Sequence, residues 1–380
     1  MGATTRYEPL SQVRKTLKVK WYRSPIEREK LAEVMRRSSL RGAWQTLGHL
    51  GLWLATGLLT FYLFKQQIWW GFAAALFAHG TIGSFFKGLA AHELGHGTVF
   101  KSKKINRNFL RIISVIGWWN YHEYAMSHTY HHRYTLHPEG DREVVLPRNP
   151  TLWAIALIQL FTVNIGHRME ANPIYHTIRR LVVAAFNRYD DEWIKALYEG
   201  QPEARRQAVN WARFVLLCQA AAITTFIAVG EPILAVIFCG HMFIGNWLKY
   251  FVGVPMHCGL RDNVPDFRKC VRTIHLNPFF EFLYWHMNWH TEHHMFAGVP
   301  CYHLAKLHEI VKDDMPEPRS LVGAWREMRD TWRRQQKDPD YQFDTPLPTT
   351  ARPAVAPATW TADYALETSI GDLAPEALSN

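Results

Sequence analysis

Twenty histidines occur in 380 residues, and eight of them fall into three tight groups. His92 and His96 stand in AHELGH, His128, His131 and His132 in SHTYHH, and His290, His293 and His294 in WHTEHH. On a helix, residues three and four apart share a face, so His92 with His96, His128 with His132 and His290 with His294 can each aim two imidazoles at one ion. The adjacent pairs, His131 with His132 and His293 with His294, diverge by about 100° around a helix. One member of each pair is then free to face a second ion. Neutral imidazoles without thiolates suit iron, zinc or copper, so ligand type alone leaves the element open. His257, in VPMHCGL, either joins this centre by its position or is an ordinary interfacial residue. Counted with the eight, it makes a set too large for one tetrahedral or octahedral ion and suited to two.

The elements that must position these groups are apolar. Residues 43–64 form a largely uncharged run long enough to cross a hydrocarbon core of about 30 Å, and residues 68–90 form a second after only Lys65, Gln66 and Gln67. Runs at 211–230 and 232–253 make another pair, broken at Gly230, Glu231 and Pro232. The expected fold is therefore all-α and membrane-integral, with four spans in two hairpins. Residues 1–42, 91–210 and 254–380 then share one side. The first segment alone carries eleven Lys and Arg against four Glu, whereas the two opposite turns hold just Lys65 and Glu231, so the positive-inside rule makes the shared side cytoplasmic. His92 follows the second run directly and sits at that boundary, which places the histidines in a cytoplasmic helical cap. Shorter apolar runs at 109–119 and 151–166 suit interfacial, re-entrant or buried cap helices. Residues 311–340 read as a helical extension, and the Pro-, Ala- and Thr-rich stretch 341–380 as a disordered tail.

Composition closes off other classes. The net charge of +10 is compatible with nucleic-acid binding, but no zinc finger, helix-turn-helix or RNA-binding signature accompanies it. The five cysteines are scattered without a CxxC pair, which argues against a disulfide framework, a rubredoxin-like site or a ferredoxin centre. Residues 1–42 are too polar for a secretory signal peptide. His79 and His241 lie within the apolar runs, where hydrogen bonding between helices accounts for them as well as function does. His122 and His137 lie near the clusters but off their spacing.

The string NWHTEHHMFAGVPCYHLAKLH, residues 288–308, resembles the third histidine box of membrane fatty acid desaturases. HELGH is similar to the first box, and SHTYHHRYTLHPEGDRE to the second, with Asp141 downstream. VPMHCGL resembles the segment that gives desaturases and the related alkane hydroxylases one more histidine ligand. It departs at Gly253, where stearoyl-type desaturases have Asn, and at Met256, where alkane hydroxylases have Glu. Across residues 43–310 the resemblance implies a di-iron site held by His92, His96, His128, His131, His132, His257, His290, His293 and His294. It also implies dioxygen as co-substrate, an external electron donor of ferredoxin, rubredoxin or cytochrome type, and desaturation or hydroxylation of an aliphatic C–H, most simply on a fatty acyl lipid at the inner membrane. No catalytic side chain beyond the ligands is expected. Glu93, Asp141, His286 and Asn288 are candidates for orienting ligand rings.

Two rivals remain. A hydroxylase of an alkane or small molecule would use the same centre. A zinc metalloprotease would use His92, Glu93 and His96 as HExxH, with Glu93 as general base, but leaves both HxxHH groups unexplained. Arg14, Lys15, Lys18, Lys20, Arg333 and Arg334 suit either an acidic electron carrier or anionic headgroups.

Overall fold

The computed structural model describes residues 7–144, 154–166 and 172–354. It is mostly helical, and the only sheet among the described residues is a parallel pair of two-residue strands, Ile274–His275 beside Arg319–Ser320. Among the described residues, two helices are long and apolar enough to cross a membrane, Ser39–Lys65 and Pro202–Ala228. Only 17% of the apolar window of each is buried, so they present their side chains outward, unlike the core helices of a soluble protein. Ser38 caps the first by accepting from the Arg41 N–H at 3.3 Å, and Pro202 opens the second at a position where its missing N–H costs nothing.

The other two apolar runs differ from the continuous helices expected of them. The run at 68–90 is helical only over Trp69–Gly83, about 22 Å at 1.5 Å per residue, and then breaks. A π-type turn, Phe86–Ala90, contains two non-helical residues, Lys87 (ψ 124°) and Gly88 (φ 83°). A positive φ strains any residue with a Cβ, so the glycine permits the change of direction. The run at 232–253 divides into a π turn at Ala235–Cys239, a 3-10 turn at His241–Phe243 and a short helix at Trp247–Gly253. Inside a bilayer such breaks persist only where other groups satisfy the released backbone. The ring Nε2 of His49 lies 3.0 Å from the Ile82 carbonyl, and Nε2 of His79 lies 2.9 Å from that of Ile237. Thr81 donates to the Gly245 carbonyl at 2.9 Å. His79 thus bonds between elements, whereas His241 packs so closely that a Cβ on Gly83 would lie 2.0 Å from its ring.

Both hairpin turns lie at one end of the molecule, where Lys65 and Glu231 pair at 2.7 Å. At the other end the largest core cluster joins the break to the third histidine segment through Phe85, Phe86, Leu94, Phe267, Tyr284 and Trp285. Trp285 Nε1 donates to His49 Nδ1 at 2.9 Å, and the Tyr284 hydroxyl donates to the Val252 carbonyl at 3.1 Å. The basic N-terminal stretch packs on this cap: Trp21 stacks on Phe267 at 4.0 Å, and the Tyr22 hydroxyl donates to Asp314 at 2.8 Å.

The cap helices answer to their sequences. Lys103–Ile116, in the 109–119 region, buries Leu110 and Ile113 while Ile105 and Ile112 face out. Ala154–Phe161 buries Ala156 and Leu160, and the start of that run at 151–153 lies outside the described residues. Leu321–Gln335 forms a helix capped by Ser320. Disorder from residue 341 does not hold for 341–354. Phe343 N–H donates to the Gly259 carbonyl at 2.9 Å, Asp344 pairs with Lys269 at 2.9 Å, and Arg352 N–H donates to Asp314 at 2.7 Å. Residues 355–380 lie outside the described residues.

Candidate metal centre

Four short elements deliver the histidines. Directly after the break, Ala91–His96 carries His92 and His96 one turn apart, and Gly97 (φ 67°) ends it in the left-handed conformation. Tyr121–Tyr134, capped by Asn120, carries His128, His131 and His132. His290–Met295 carries the third group, and His257 follows the 3-10 turn Val254–Met256. All nine rings are buried, none more than 7% exposed.

Their nitrogens gather in two sets. His92, His96, His128, His132 and His293 form one, and His131, His257, His290 and His294 the other, each with ligand atoms within 4.8 Å of one another. The adjacent pairs His131/His132 and His293/His294 are split between the sets, which follows from their angular divergence on a helix.

Inside the sets the Nε2 atoms face each other: His92 and His96 at 3.2 Å, His257 and His290 at 3.0 Å, His290 and His294 at 3.2 Å, His132 and His293 at 3.3 Å. Such pairs make a hydrogen bond only if an inward nitrogen carries the proton, and in five of the nine rings an outer partner claims it. His92 Nδ1 lies 2.8 Å from Glu93, His131 Nδ1 2.9 Å from Asp141, and His128 Nδ1 3.0 Å from Glu143; an ionised carboxylate only accepts. His257 Nδ1 donates to the Cys270 carbonyl at 3.1 Å. The Thr135 hydroxyl spends its proton on the His131 carbonyl at 2.6 Å, so its oxygen accepts from His294 Nδ1 at 3.2 Å. Inward-facing lone pairs are left converging in a dry interior, and His128 Nε2 is buried without any partner. Two nitrogens bound at about 2.1 Å and at right angles would stand about 3.0 Å apart. The donor set therefore fits one cation in each group.

The electrostatics agree with that fit. Burial pushes His92 and His257 down to about 3, and it holds His128, His132, His290, His293 and His294 well below the usual histidine range, with neighbouring imidazoles adding to the effect. Near neutral pH these rings are uncharged, which is the ligating form. His131 is the exception. Burial disfavours its charge, but Asp141 outweighs burial and raises it.

The chain belongs to the fatty acid desaturase family. Residues 67–325, which include all nine histidines, match that family. No curated protein matches the chain closely enough to add a substrate.

As a desaturase-family centre it holds residues that spacing alone did not single out. Glu143, two positions beyond Asp141, accepts from Ser127 Oγ at 2.5 Å as well as from His128, and it groups with His128 and His131 as a third potential ligand set. Burial raises its carboxyl to about 7, as it does that of Glu93, so these two are accept-only partners above that pH. It stands in the loop after the helix, where periodicity is silent; a second acid in GDRE was the available signal. Glu292, within the third box, accepts from Thr273 Oγ1 and His308 Nδ1, both at 2.6 Å, and so fixes its short helix. Glu93 and Asp141 bond ligand rings directly. His286 and Asn288 do not: His286 bonds Glu281 at 2.8 Å and Asn288 bonds the Ile274 carbonyl at 3.1 Å, bracing the chain that leads into His290. His122 stacks on Tyr121, and His137 bonds the Tyr134 and Thr135 carbonyls, both away from the two sets.

Asp141→Asn tests the tautomer argument. The amide cannot hold the proton on His131 Nδ1 as a carboxylate does, and loss of such a partner lowers metal affinity by roughly 10- to 100-fold. Competition with a chelator, read by elemental analysis, should release one ion of the pair more readily than in the parent chain. Unchanged retention of both would contradict the role given to Asp141.

Proposed function

We propose that the chain is an O2-dependent, non-haem di-iron oxidoreductase that desaturates or hydroxylates an aliphatic C–H position of a fatty acyl lipid. The observation that carries this reading is the pair of adjacent imidazole sets, five nitrogens in one and four in the other. His92, His96, His128, His132 and His293 would hold one iron, and His131, His257, His290 and His294 the second. Iron supplies the oxidising chemistry with dioxygen that an unreactive C–H bond requires and that redox-inert zinc does not.

The chain's own contribution is to orient and to exclude. Glu93, Asp141, Glu143 and the Cys270 carbonyl fix which nitrogen of His92, His131, His128 and His257 faces inward. Tyr124, 4.8 Å from the His128 ring, and Phe267, 5.5 Å from that of His294, pack against the centre and help keep bulk water from it. Three helical segments and the turn after Val254–Met256 converge there, and all nine rings they carry are buried.

The protease reading fits less well. Glu93 accepts from His92 Nδ1, so it acts as a brace for a ligand, and the four-histidine set has no use in a one-zinc site. The alkane or small-molecule hydroxylase remains the second reading, because hydroxylation shares the initial hydrogen abstraction and the same ligands.

For the membrane, the proposal is four crossings with both termini and the centre on the cytoplasmic side, supported by the Lys65–Glu231 pairing of the two turns and the basic N-terminal stretch. Reporter fusions at residues 66 and 231 should both read as outside. An inside reading at either position would overturn this topology.

Electrons must come from another protein, since none of the five cysteines forms a redox motif. Purified chain given dioxygen and an acyl substrate should manage at most one turnover per site, and continuous turnover should begin only when a reduced carrier is added. Mass spectrometry of the product distinguishes an alkene from an alcohol. Sustained turnover without a carrier would contradict the proposal.

A further inference from the structure

Two cavities meet beside the centre. The smaller, about 90 Å³, is lined by His92, His128, His131, His257 and His290 and is too small for a whole acyl molecule. The larger, about 700 Å³, is of the size that holds ligands and opens outward past Tyr7, Arg142 and Glu192. Tyr124 and Glu143 line both, forming the wall between them. The break after the second apolar run belongs to both as well: Lys87 lines the larger cavity and its neighbour Gly88 the smaller.

The charges of the larger cavity are largely matched. Glu123 is bonded by Arg180 at 2.8 Å and by Asn120 at 3.0 Å, and Glu143 is taken by Ser127 and His128. Asp191 caps a helix by accepting from the Ile194 N–H at 3.0 Å. Two cations have no carboxylate partner among the described residues. Arg142, at the mouth, stacks on Tyr7 at 3.8 Å and donates to the Glu8 carbonyl at 3.2 Å. Lys87 donates to the Thr177 hydroxyl at 3.2 Å and lies 5.0 Å from the centroid of the Trp119 ring, and its charged neighbours are two more cations, Lys249 and Arg180. A partly buried ammonium is costly without an anion beside it. The helical break carries this cation to the inner part of the chamber, where a ligand can provide that anion.

We propose that the larger cavity is a head-group chamber in which Lys87, backed by Thr177 and Trp119, binds the anionic head, carboxylate or phosphate, of the acyl substrate, whose chain then reaches the histidines past Tyr124 and Glu143. The assignment of substrate class rests on the oxidation proposed above, but binding of the head does not need turnover. It makes the chain selective for a charged amphiphile over a neutral one of equal length.

The test is equilibrium binding of radiolabelled laurate, dodecyl phosphate and dodecanol to the full chain in a neutral detergent, as purified and without reductant. Laurate or dodecyl phosphate should bind at least about tenfold more tightly than dodecanol, and whichever binds better identifies the head. Removing a charged hydrogen-bonding partner costs roughly 10- to 100-fold, so Lys87→Met should abolish the preference while Lys87→Arg keeps most of it. Thr177→Val, which leaves the ammonium in place, should weaken the anions by a smaller factor and dodecanol not at all; it serves if Lys87→Met does not fold. Equal binding of the three probes by the parent chain, or an unchanged preference in Lys87→Met, would overturn the proposal. A clear preference for anions in a chain that then oxidises nothing would leave the chamber standing and count against the oxidoreductase reading alone.

Discussion

The structure depends on one electrostatic constraint: nine imidazoles are buried with nitrogens directed at each other, at separations of 3.0–3.3 Å where these are closest. Without a cation that arrangement is repulsive, and in a low-dielectric interior the repulsion is poorly screened. The surrounding polar groups maintain it. Carboxylates at Glu93, Asp141 and Glu143 and carbonyl or hydroxyl oxygens at Cys270 and Thr135 hold the outer protons, so each bonded ring has only its inner nitrogen to offer. Burial then keeps most of the rings uncharged, so that binding a cation displaces few protons.

The backbone pays for this convergence in helical regularity. Straight helices over 68–90 and 232–253 would carry His92 and His257 along their axes and away from the other two helices. Breaks at Lys87–Gly88 and across 235–246 turn the chain instead, and the hydrogen bonds they release are recovered by His49, His79 and Thr81. Polar residues inside the apolar runs thus have a structural use that does not involve the metals. The same break exposes Lys87 to the larger cavity just before the first histidine pair.

Much of the centre was legible in the sequence because its information is local. Separations of three and four residues determine which rings share a helix face, and adjacency determines which diverge, so the division of His131 from His132 and of His293 from His294 needed no tertiary knowledge. Glu143 was hidden because it reaches back from a loop to His128, and loops carry no period. The helix breaks were hidden for another reason: hydropathy averages over a window and does not register backbone direction, and the partners that stabilise the breaks lie far away in sequence, His49 for Ile82 and Ile237 for His79. The segment 341–354 lacks apolar periodicity, yet backbone bonds to Gly259 and ion pairs with Arg261 and Lys269 hold it. Composition reports whether a segment can build a core, and says little about one that docks on a core built by others.

The central claim is that two redox-active ions occupy the two imidazole sets. Elemental analysis of the full chain, purified without chelators and reconstituted anaerobically with ferrous iron, measures it most directly. Two irons per chain are predicted. One zinc per chain, with iron absent even after reconstitution, would contradict the account.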